Sequence, residues 1–165
     1  GVPVYETAVG FKHIAPLMAE GEALLGGEES GGYAFRGHLP ERDGVLSGLM
    51  ILDLIAQTGK QISELVAELN RVVGPHFFDR LDIPFPASNR SEVQRLIAKA
   101  HPVELAGLPI TDTDTQDGFR LRLQGDAWVI LRFSGTEPLL RIYAEAETPE
   151  RVQALLVAAR SIAQI

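Results

Sequence analysis

Apolar and polar residues alternate in the second half of the chain, and this alternation limits the fold more than any other feature. It runs through residues 119–123 and 140–146, and Trp128–Phe133 between them has the composition of a return strand. A two-residue period is typical of strands with one buried face. Gly125-Asp126 is a two-residue hairpin signal. These segments therefore predict three antiparallel strands.

Helical signals accompany these strands. Thr148-Pro149 is an N-cap followed by proline at the first helical position, and Ser91–Gln94 has the form of a capping box. The last helix is expected to place its apolar residues on one face, namely Val152, Leu155, Leu156, Ala159, Ile162 and Ala163. With a further strand over Phe77–Phe85, residues 76–165 are predicted to form an α+β domain, an antiparallel sheet with helices packed on one face.

The first half predicts part of an α/β domain over residues 1–75. Phe11–Glu20 is expected to be a short helix, and the apolar run Ala23–Leu25 is expected to be a strand that leads into a glycine-rich loop. Gly44–Thr58 is apolar nearly all round, so we expect a buried helix there. Gly74-Pro75 breaks the pattern, and we place the domain boundary at this point.

Composition excludes several classes of protein. The net charge of -7 argues against general nucleic-acid binding, and the absence of cysteine excludes disulfides and cysteine-based metal sites. The beginning of the chain does not resemble a signal peptide, and the most apolar stretch, Val45–Ala56, is too short to span a bilayer. The four histidines lack ligand spacing, and we predict no metal site in this chain. We expect a cytoplasmic protein with no membrane partner.

Residues 132–141 have the composition of a phosphate-binding loop between two strands. Gly135 permits a positive φ, so neighbouring N–H groups can converge on an anion. Ser134 and Thr136 add hydroxyls, and Arg132 and Arg141 can fork onto phosphate oxygens. An ordinary hairpin loop with surface arginines is the alternative.

The loop Gly26–Gly32 is rich in glycine but matches neither of two familiar motifs. Gly32 stands where a P-loop requires lysine, and Glu28 stands where a nucleophile elbow requires glycine. What remains is Glu28 and Ser30, whose oxygens suit sugar hydroxyls, although a solvated turn has the same composition. The cations Lys12, Arg36 and Arg42 flank the loop in sequence and are candidates for a positive pocket or for surface charge.

The two loops resemble motifs of the α-D-phosphohexomutase family, the phosphoglucomutases and phosphomannomutases. The resemblance extends over nearly the whole chain and rests on four motifs: residues 9–12, 27–32, 42–44 and 132–138. It implies the latter part of the third family domain followed by the fourth. It also implies that Glu28 and Ser30 contact the sugar, that Arg132, Ser134, Gly135, Thr136 and Arg141 bind phosphate, and that Lys12 and Arg42 lie near the substrate.

The family's phosphoserine motif and its aspartate-rich magnesium loop do not occur in this sequence. The resemblance therefore implies no catalytic residue here, and Mg²⁺ bound only by the complete enzyme. That enzyme would interconvert hexose 1-phosphate and hexose 6-phosphate, with a slight lean towards glucose, through a phosphoserine and a bisphosphate intermediate. We expect this chain to need the missing N-terminal domains and to be inactive alone. The alternative is a non-catalytic phosphosugar-binding module or a separate subunit.

Overall fold

The computed structural model describes residues 2–165, which divide into two compact units. The first unit ends at Ala67 and the second begins at Glu68. The division falls inside helix α3, Ile62–Val73, and the domain boundary near residue 75 stays a prediction.

The first unit contains two short strands and two further helices. A 3-10 turn, Phe11–His13, leads into helix α1, Ala15–Ala19. Strands β1, Leu25–Gly27, and β2, Tyr33–Phe35, form an antiparallel hairpin. Helix α2, Gly44–Thr58, follows. Buried Phe11, Met18 and Ala34 form a small core in this unit.

Helix α2 has the predicted bounds but not the predicted burial. Asp43 caps its first turn, and Gly59, at φ 66°, ends it in the left-handed conformation that glycine adopts most readily. None of the helix residues is buried in the described part of the chain, and Val45 is 77% exposed and Leu52 62%. The expectation of a buried helix is therefore wrong for this chain.

The second unit is a six-stranded antiparallel sheet in the order β3-β8-β7-β6-β5-β4. Its strands are β3 Phe77–Pro84, β4 Glu104–Leu105, β5 Leu108–Asp114, β6 Phe119–Leu123, β7 Trp128–Phe133 and β8 Leu139–Ala146. The hairpin between β6 and β7 turns where the sequence predicts it. Gly125 and Asp126 both have positive φ, at 81° and 60°, as a type I′ turn requires.

Two helices complete the second unit. Helix α4, Arg90–Lys99, packs against helix α5, Pro149–Ala163, and α5 packs against β3, β7 and β8. Alternate residues of the central strands face this layer and are fully buried, among them Leu121, Leu131 and Ile142. The predicted α+β fold with helices on one face is confirmed. The capping box is not, because Ser91 lies inside α4, after a 3-10 turn over Ala87–Asn89.

Candidate functional site

The predicted phosphate loop connects β7 to β8 and is organised around Ser134. This residue is only 5% exposed, and its N–H donates to the Leu139 carbonyl at 2.9 Å. Its Oγ accepts from the N–H groups of Thr136 at 3.4 Å and Glu137 at 3.3 Å. Both distances exceed the usual 2.9–3.0 Å of an N–H···O bond. Successive amides of the loop thus converge on one oxygen and are held there only weakly.

Arg132 and Arg141 are brought together by the strand register. They lie directly opposite each other on β7 and β8, so their side chains leave the same face of the sheet. Arg141 donates from Nη2 to Glu137 at 3.4 Å, and its buried Nε has no hydrogen-bond partner among residues 2–165. Two adjacent like charges repel, and a buried unpaired donor is unfavourable. A bound oxyanion would relieve both.

Arg90 is a third arginine at this loop, and no sequence pattern predicted it. It is the first residue of α4, and its Nη1 donates to the Ser134 carbonyl at 2.8 Å. Its guanidinium also lies over the Phe133 ring, 5.1 Å from the centroid. The contact joins residues 44 positions apart, and no local spacing signals it.

The segment before α4 also holds the far end of the loop. The Phe85 N–H donates to the Pro138 carbonyl at 3.1 Å, and the Phe85 ring meets Phe133 edge-to-face at 5.8 Å. Phe85 is buried in the main core. The loop is therefore anchored at both of its ends, by Arg90 at Ser134 and by Phe85 at Pro138.

In the first unit, the glycine-rich loop is the connection of the β1–β2 hairpin. The Glu28 N–H donates to the Gly32 carbonyl at 3.0 Å, and the Gly31 N–H donates to the Glu28 carbonyl at 3.0 Å. Gly31 has φ 90°, which favours glycine. Glu28 is partly buried and Ser30 is exposed at the tip. The two residues predicted to contact a sugar thus share one tight turn.

Arg42 joins this loop through an ion pair that the sequence motifs did not predict. Its Nη1 lies 3.1 Å from Glu28 Oε2, and its guanidinium is 5.6 Å from the ring centroid of buried Phe11. The aliphatic part of Arg42 lies over Gly32, where an added Cβ would come within 2.4 Å of Arg42 Cδ. Glycine at position 32 therefore leaves room for Arg42 to reach Glu28.

Arg42 also holds a second carboxylate. Its Nε donates to Glu41 Oε1 at 3.1 Å. Hydrogen bonding to Glu41 raises the pKa of Arg42, with a smaller contribution from the charge of Glu28. Arg42 therefore stays a cation, and a guanidinium that does not readily deprotonate suits binding rather than proton transfer.

Asp43 and His38 adjoin Arg42 at the start of α2. Asp43 Oδ1 accepts from the Leu46 N–H at 2.8 Å, and Oδ2 lies 3.0 Å from His38 Nε2. The bond from Leu46 and, after it, the bond from His38 hold the pKa of Asp43 below its ordinary value. The carboxylate therefore stays charged and caps the helix.

The remaining predicted cations differ in position. Lys12 is exposed in the 3-10 turn, next to the Phe11 that Arg42 covers. Arg36 does not join the loop. It donates to backbone carbonyls of the α1–β1 connection instead, with its shortest bond, 2.7 Å, to Gly21.

A cleft of about 660 Å³ lies elsewhere in the first unit. It is bordered by Val2–Thr7, by Leu24–Gly27 and by Arg36, and its lining is mainly apolar. Glu28, Ser30 and Arg42 are not among its lining residues. The cleft is therefore not the predicted sugar site.

Residues 2–165 contain neither a metal-binding cluster nor a membrane-spanning helix. No group of three or more His, Asp or Glu side chains in this range is placed to hold a metal ion. In the same part of the chain, every helix is too short or too polar to cross a membrane.

Comparison with known families assigns both halves of the chain. Residues 1–72 match the model of the phosphoglucomutase/phosphomannomutase alpha/beta/alpha domain III. Residues 87–162 match the model of the C-terminal domain of the same family. The chain belongs to the phosphoglucomutase/phosphomannomutase family. The resemblance carried by the four motifs is confirmed.

Individual members of this family are also similar to the chain in sequence. The chain is 34% identical over 156 residues to a phosphoglucomutase/phosphomannomutase of Thermococcus kodakarensis, covering 94% of the chain and 32% of the relative. It is 32% identical over 153 residues to a phosphoglucosamine mutase of Bacillus licheniformis, covering 91% and 29%. The chain thus spans about a third of the length of these curated family members.

Solved structures show the same fold. A protein from Thermus thermophilus, described as a phosphomannomutase, aligns with a TM-score of 0.74 and 39% identity, over 95% of this chain and 30% of that protein. A phosphoglucomutase/phosphomannomutase family protein from Burkholderia thailandensis aligns over 93% of this chain and 31% of its own, with a TM-score of 0.66. At 18% identity, the second match supports the fold alone.

Proposed function

We propose that this chain is the sugar- and phosphate-binding C-terminal part of a phosphohexomutase that interconverts hexose 1-phosphate and hexose 6-phosphate. The observation that carries the proposal is the direct pairing of Arg132 with Arg141 beside the loop Ser134–Pro138. Such an arrangement is unfavourable without an anion and well suited to one. Family membership supplies the reaction class.

The phosphate-binding role rests on donors that converge. Arg132 and Arg141 supply guanidinium donors from one face of the sheet, and Gly135 and Thr136 supply backbone N–H groups. The Thr136 N–H is held by Ser134 Oγ at only 3.4 Å, so a phosphate oxygen can replace that acceptor at little cost. Charge-assisted bonds to phosphate are shorter and stronger than the neutral contact they replace.

The sugar-binding role rests on Glu28 and Ser30. Arg42 engages one carboxylate oxygen of Glu28, so the other oxygen is oriented and available to accept from a sugar hydroxyl. Ser30 is exposed at the tip of the turn and can donate or accept. We propose that Arg42 and exposed Lys12 add positive charge near the substrate, and that the preferred hexose is glucose.

The chemistry of the complete enzyme would proceed through a phosphoserine and a bisphosphate intermediate. Magnesium, bound outside residues 2–165, would neutralise charge on the transferring phosphate. No residue described here is assigned to bond breaking, so positioning and charge stabilisation are the roles left to this chain. We expect it to have no mutase activity alone, and turnover of glucose 1-phosphate by the purified chain would contradict this.

Helix α2 supports the proposal that further domains of the same protein are its partner. Its exposed apolar residues, such as Val45 and Leu52, form a surface that an isolated unit would not favour. The relatives are about three times as long as this chain. We propose that the N-terminal part of the protein covers α2. Amide exchange along α2 should then slow in a longer polypeptide, and unchanged exchange would contradict this.

The proposed function is tested by titrating the chain while its backbone amides are followed by NMR. We expect inorganic phosphate to shift Ser134, Gly135 and Thr136 with saturation, and glucose 1-phosphate to shift Glu28 and Ser30 as well. Mannose 1-phosphate in the same titration tests the preference for glucose.

Matched variants make this test specific. Arg141→Gln removes one proposed phosphate donor, whereas Arg71→Gln removes the same charge from an exposed pair with Glu68. We expect only the first to weaken phosphate binding. Equal affinities of the two variants, or no saturable shift in the wild-type chain, would overturn the proposed phosphate site.

A further inference from the structure

Arg90 joins helix α4 to the loop between β7 and β8 through one short hydrogen bond. Its Nη1 lies 2.8 Å from the carbonyl oxygen of Ser134, and the bond is partly buried. The side chain is fixed further by its position over the Phe133 ring. A guanidinium held by both a hydrogen bond and an aromatic face loses much of its rotational freedom.

The bond from Arg90 bears on ligand binding because of the group that accepts it. The Ser134 carbonyl belongs to the same peptide unit as the Gly135 N–H, and that unit is planar. Donation by a cation to the carbonyl fixes the plane and polarises it. The Gly135 N–H thereby becomes a better-oriented and stronger donor, and it is one of the proposed phosphate-binding groups.

The positive charge of Arg90 also favours the binding of an anion at the loop. Arg132 and Arg141 lie on strands β7 and β8, and Glu137 of the loop offsets Arg141 through their contact at 3.4 Å. Arg90 comes from the opposite side, from the helical layer. A partly buried cation is screened less by salt than an exposed one. It therefore adds a positive field at the loop that persists at ordinary ionic strength.

We propose that Arg90 is a positioning residue for phosphate binding, which acts through the Ser134–Gly135 peptide to orient and strengthen the Gly135 N–H. This inference rests on the proposed phosphate-binding function of the loop. It differs from that function because Arg90 itself need not touch the ligand.

The test compares three variants of the full chain. Arg90→Gln removes the charge and the ring contact, and Arg90→Lys keeps the charge and one donor. Arg95→Gln is the matched control, because Arg95 lies on the same helix but is exposed and bonded to Glu92. Inorganic phosphate is the probe, and the readouts are its dissociation constant and the Gly135 amide proton shift before phosphate is added.

We expect Arg90→Gln to weaken phosphate binding about tenfold, the loss typical of one charged hydrogen bond. Arg90→Lys should recover part of that loss, and Arg95→Gln should bind as the wild type does. The Gly135 amide proton should move upfield in Arg90→Gln in the absence of phosphate. A purely structural role would not move this resonance while the remaining spectrum stays native.

The outcomes separate the two proposals. If the wild-type chain binds phosphate and Arg90→Gln binds it within twofold, the positioning role is overturned and the proposed function stands. If the wild-type chain does not bind phosphate, both fall. If Arg90→Gln does not fold, Arg90→Lys decides: weaker binding with a shifted Gly135 amide supports the role, and wild-type values for both overturn it.

Discussion

Arg132 and Arg141 face each other across the β7–β8 pair, two cations in directly opposed positions of an antiparallel sheet. Opposite-charge pairs at such positions stabilise a sheet and like-charge pairs destabilise it. Arg141 is next to Asp82 of β3 on its other side, but Asp82 itself contacts Arg80 at 2.9 Å. Glu137 contacts Arg141 at 3.4 Å and offsets part of its charge. The repulsion that remains opposes folding in the absence of an anion.

This pairing predicts that removing one of the two arginines will stabilise the phosphate-free chain and weaken its binding of phosphate. Arg132→Gln should raise the free energy of unfolding of the phosphate-free chain by about 0.5 kcal/mol at low salt. The same change should weaken phosphate binding at least tenfold. Chemical denaturation followed by Trp128 fluorescence, with and without phosphate, measures both quantities, because Trp128 is the only tryptophan and lies in β7.

Arg71→Gln is the control for this prediction, because it makes the same change of net charge at an exposed pair with Glu68. We expect it to leave both quantities unchanged. A loss of stability in phosphate-free Arg132→Gln would mean that Arg132 is a structural residue rather than one held ready for an anion.

A second prediction concerns the close approach of Arg42 to Gly32. In Gly32→Ala, the new Cβ would lie 2.4 Å from Arg42 Cδ and 2.9 Å from its Cγ, so Arg42 must move away. Glu28 then loses the partner that orients it. Affinity for glucose 1-phosphate should fall by up to about fivefold, the range of an exposed ion pair, while affinity for inorganic phosphate stays constant.

Gly48→Ala is the matched control, because nothing lies within 4 Å of the added Cβ and the position is helical. It should bind as the wild type does. If Gly32→Ala binds glucose 1-phosphate with wild-type affinity, the Arg42–Glu28 pair does not contribute to sugar recognition.

Local patterns in the sequence predicted the elements well where local chemistry determines them. The bounds of α2 are those predicted, because Asp43 caps its start and Gly59 ends it. The β6–β7 turn is also as predicted, because Gly125 and Asp126 adopt the positive φ that the turn requires. Each feature depends on residues within one or two turns of chain.

The predicted burial of α2 was wrong because it depends on contacts outside the helix. The apolar composition of α2 predicts burial only if something packs on the helix, and the described chain provides nothing that buries it. The capping box predicted over Ser91–Gln94 was also wrong, because the helix already starts at Arg90, after a 3-10 turn.

The same distinction applies to the candidate site. Arg132, Ser134 and Arg141 were recognised because they lie on one short loop and its flanking strands. Arg90 and the Arg42–Glu28 pair were missed because they form over 44 and 14 residues. Contacts at such separations depend on the packing of whole elements, which no local period reports.

A third prediction concerns pH. Because the pKa of Asp43 is lowered on folding, the charged carboxylate stabilises α2 fully above its ordinary value of 3.8. This contribution is lost as pH falls through the lower value of the folded state. The Leu46 amide, which donates to Asp43 Oδ1, should therefore titrate with a midpoint below 3.8 in an NMR pH series.

Two variants isolate the causes of this shift. Asp43→Asn keeps an acceptor for Leu46 and should abolish the titration. His38→Gln removes the second partner of the carboxylate and should move the midpoint upward only in part, since the bond from Leu46 is the larger cause. A wild-type midpoint at or above 3.8 would contradict the assignment of Asp43 as a charged cap.

The last prediction concerns the start of α5, a helix that contributes several buried residues to the main core. Thr148 Oγ1 accepts from the Arg151 N–H at 3.1 Å, and Pro149 occupies the first turn. Thr148→Ala removes this acceptor and should lower the free energy of unfolding of the second unit by about 1 kcal/mol. Thr148→Ser keeps a hydroxyl and should cost much less. Urea unfolding followed by Trp128 fluorescence measures the difference, and equal losses in the two variants would show that the hydroxyl does not cap the helix.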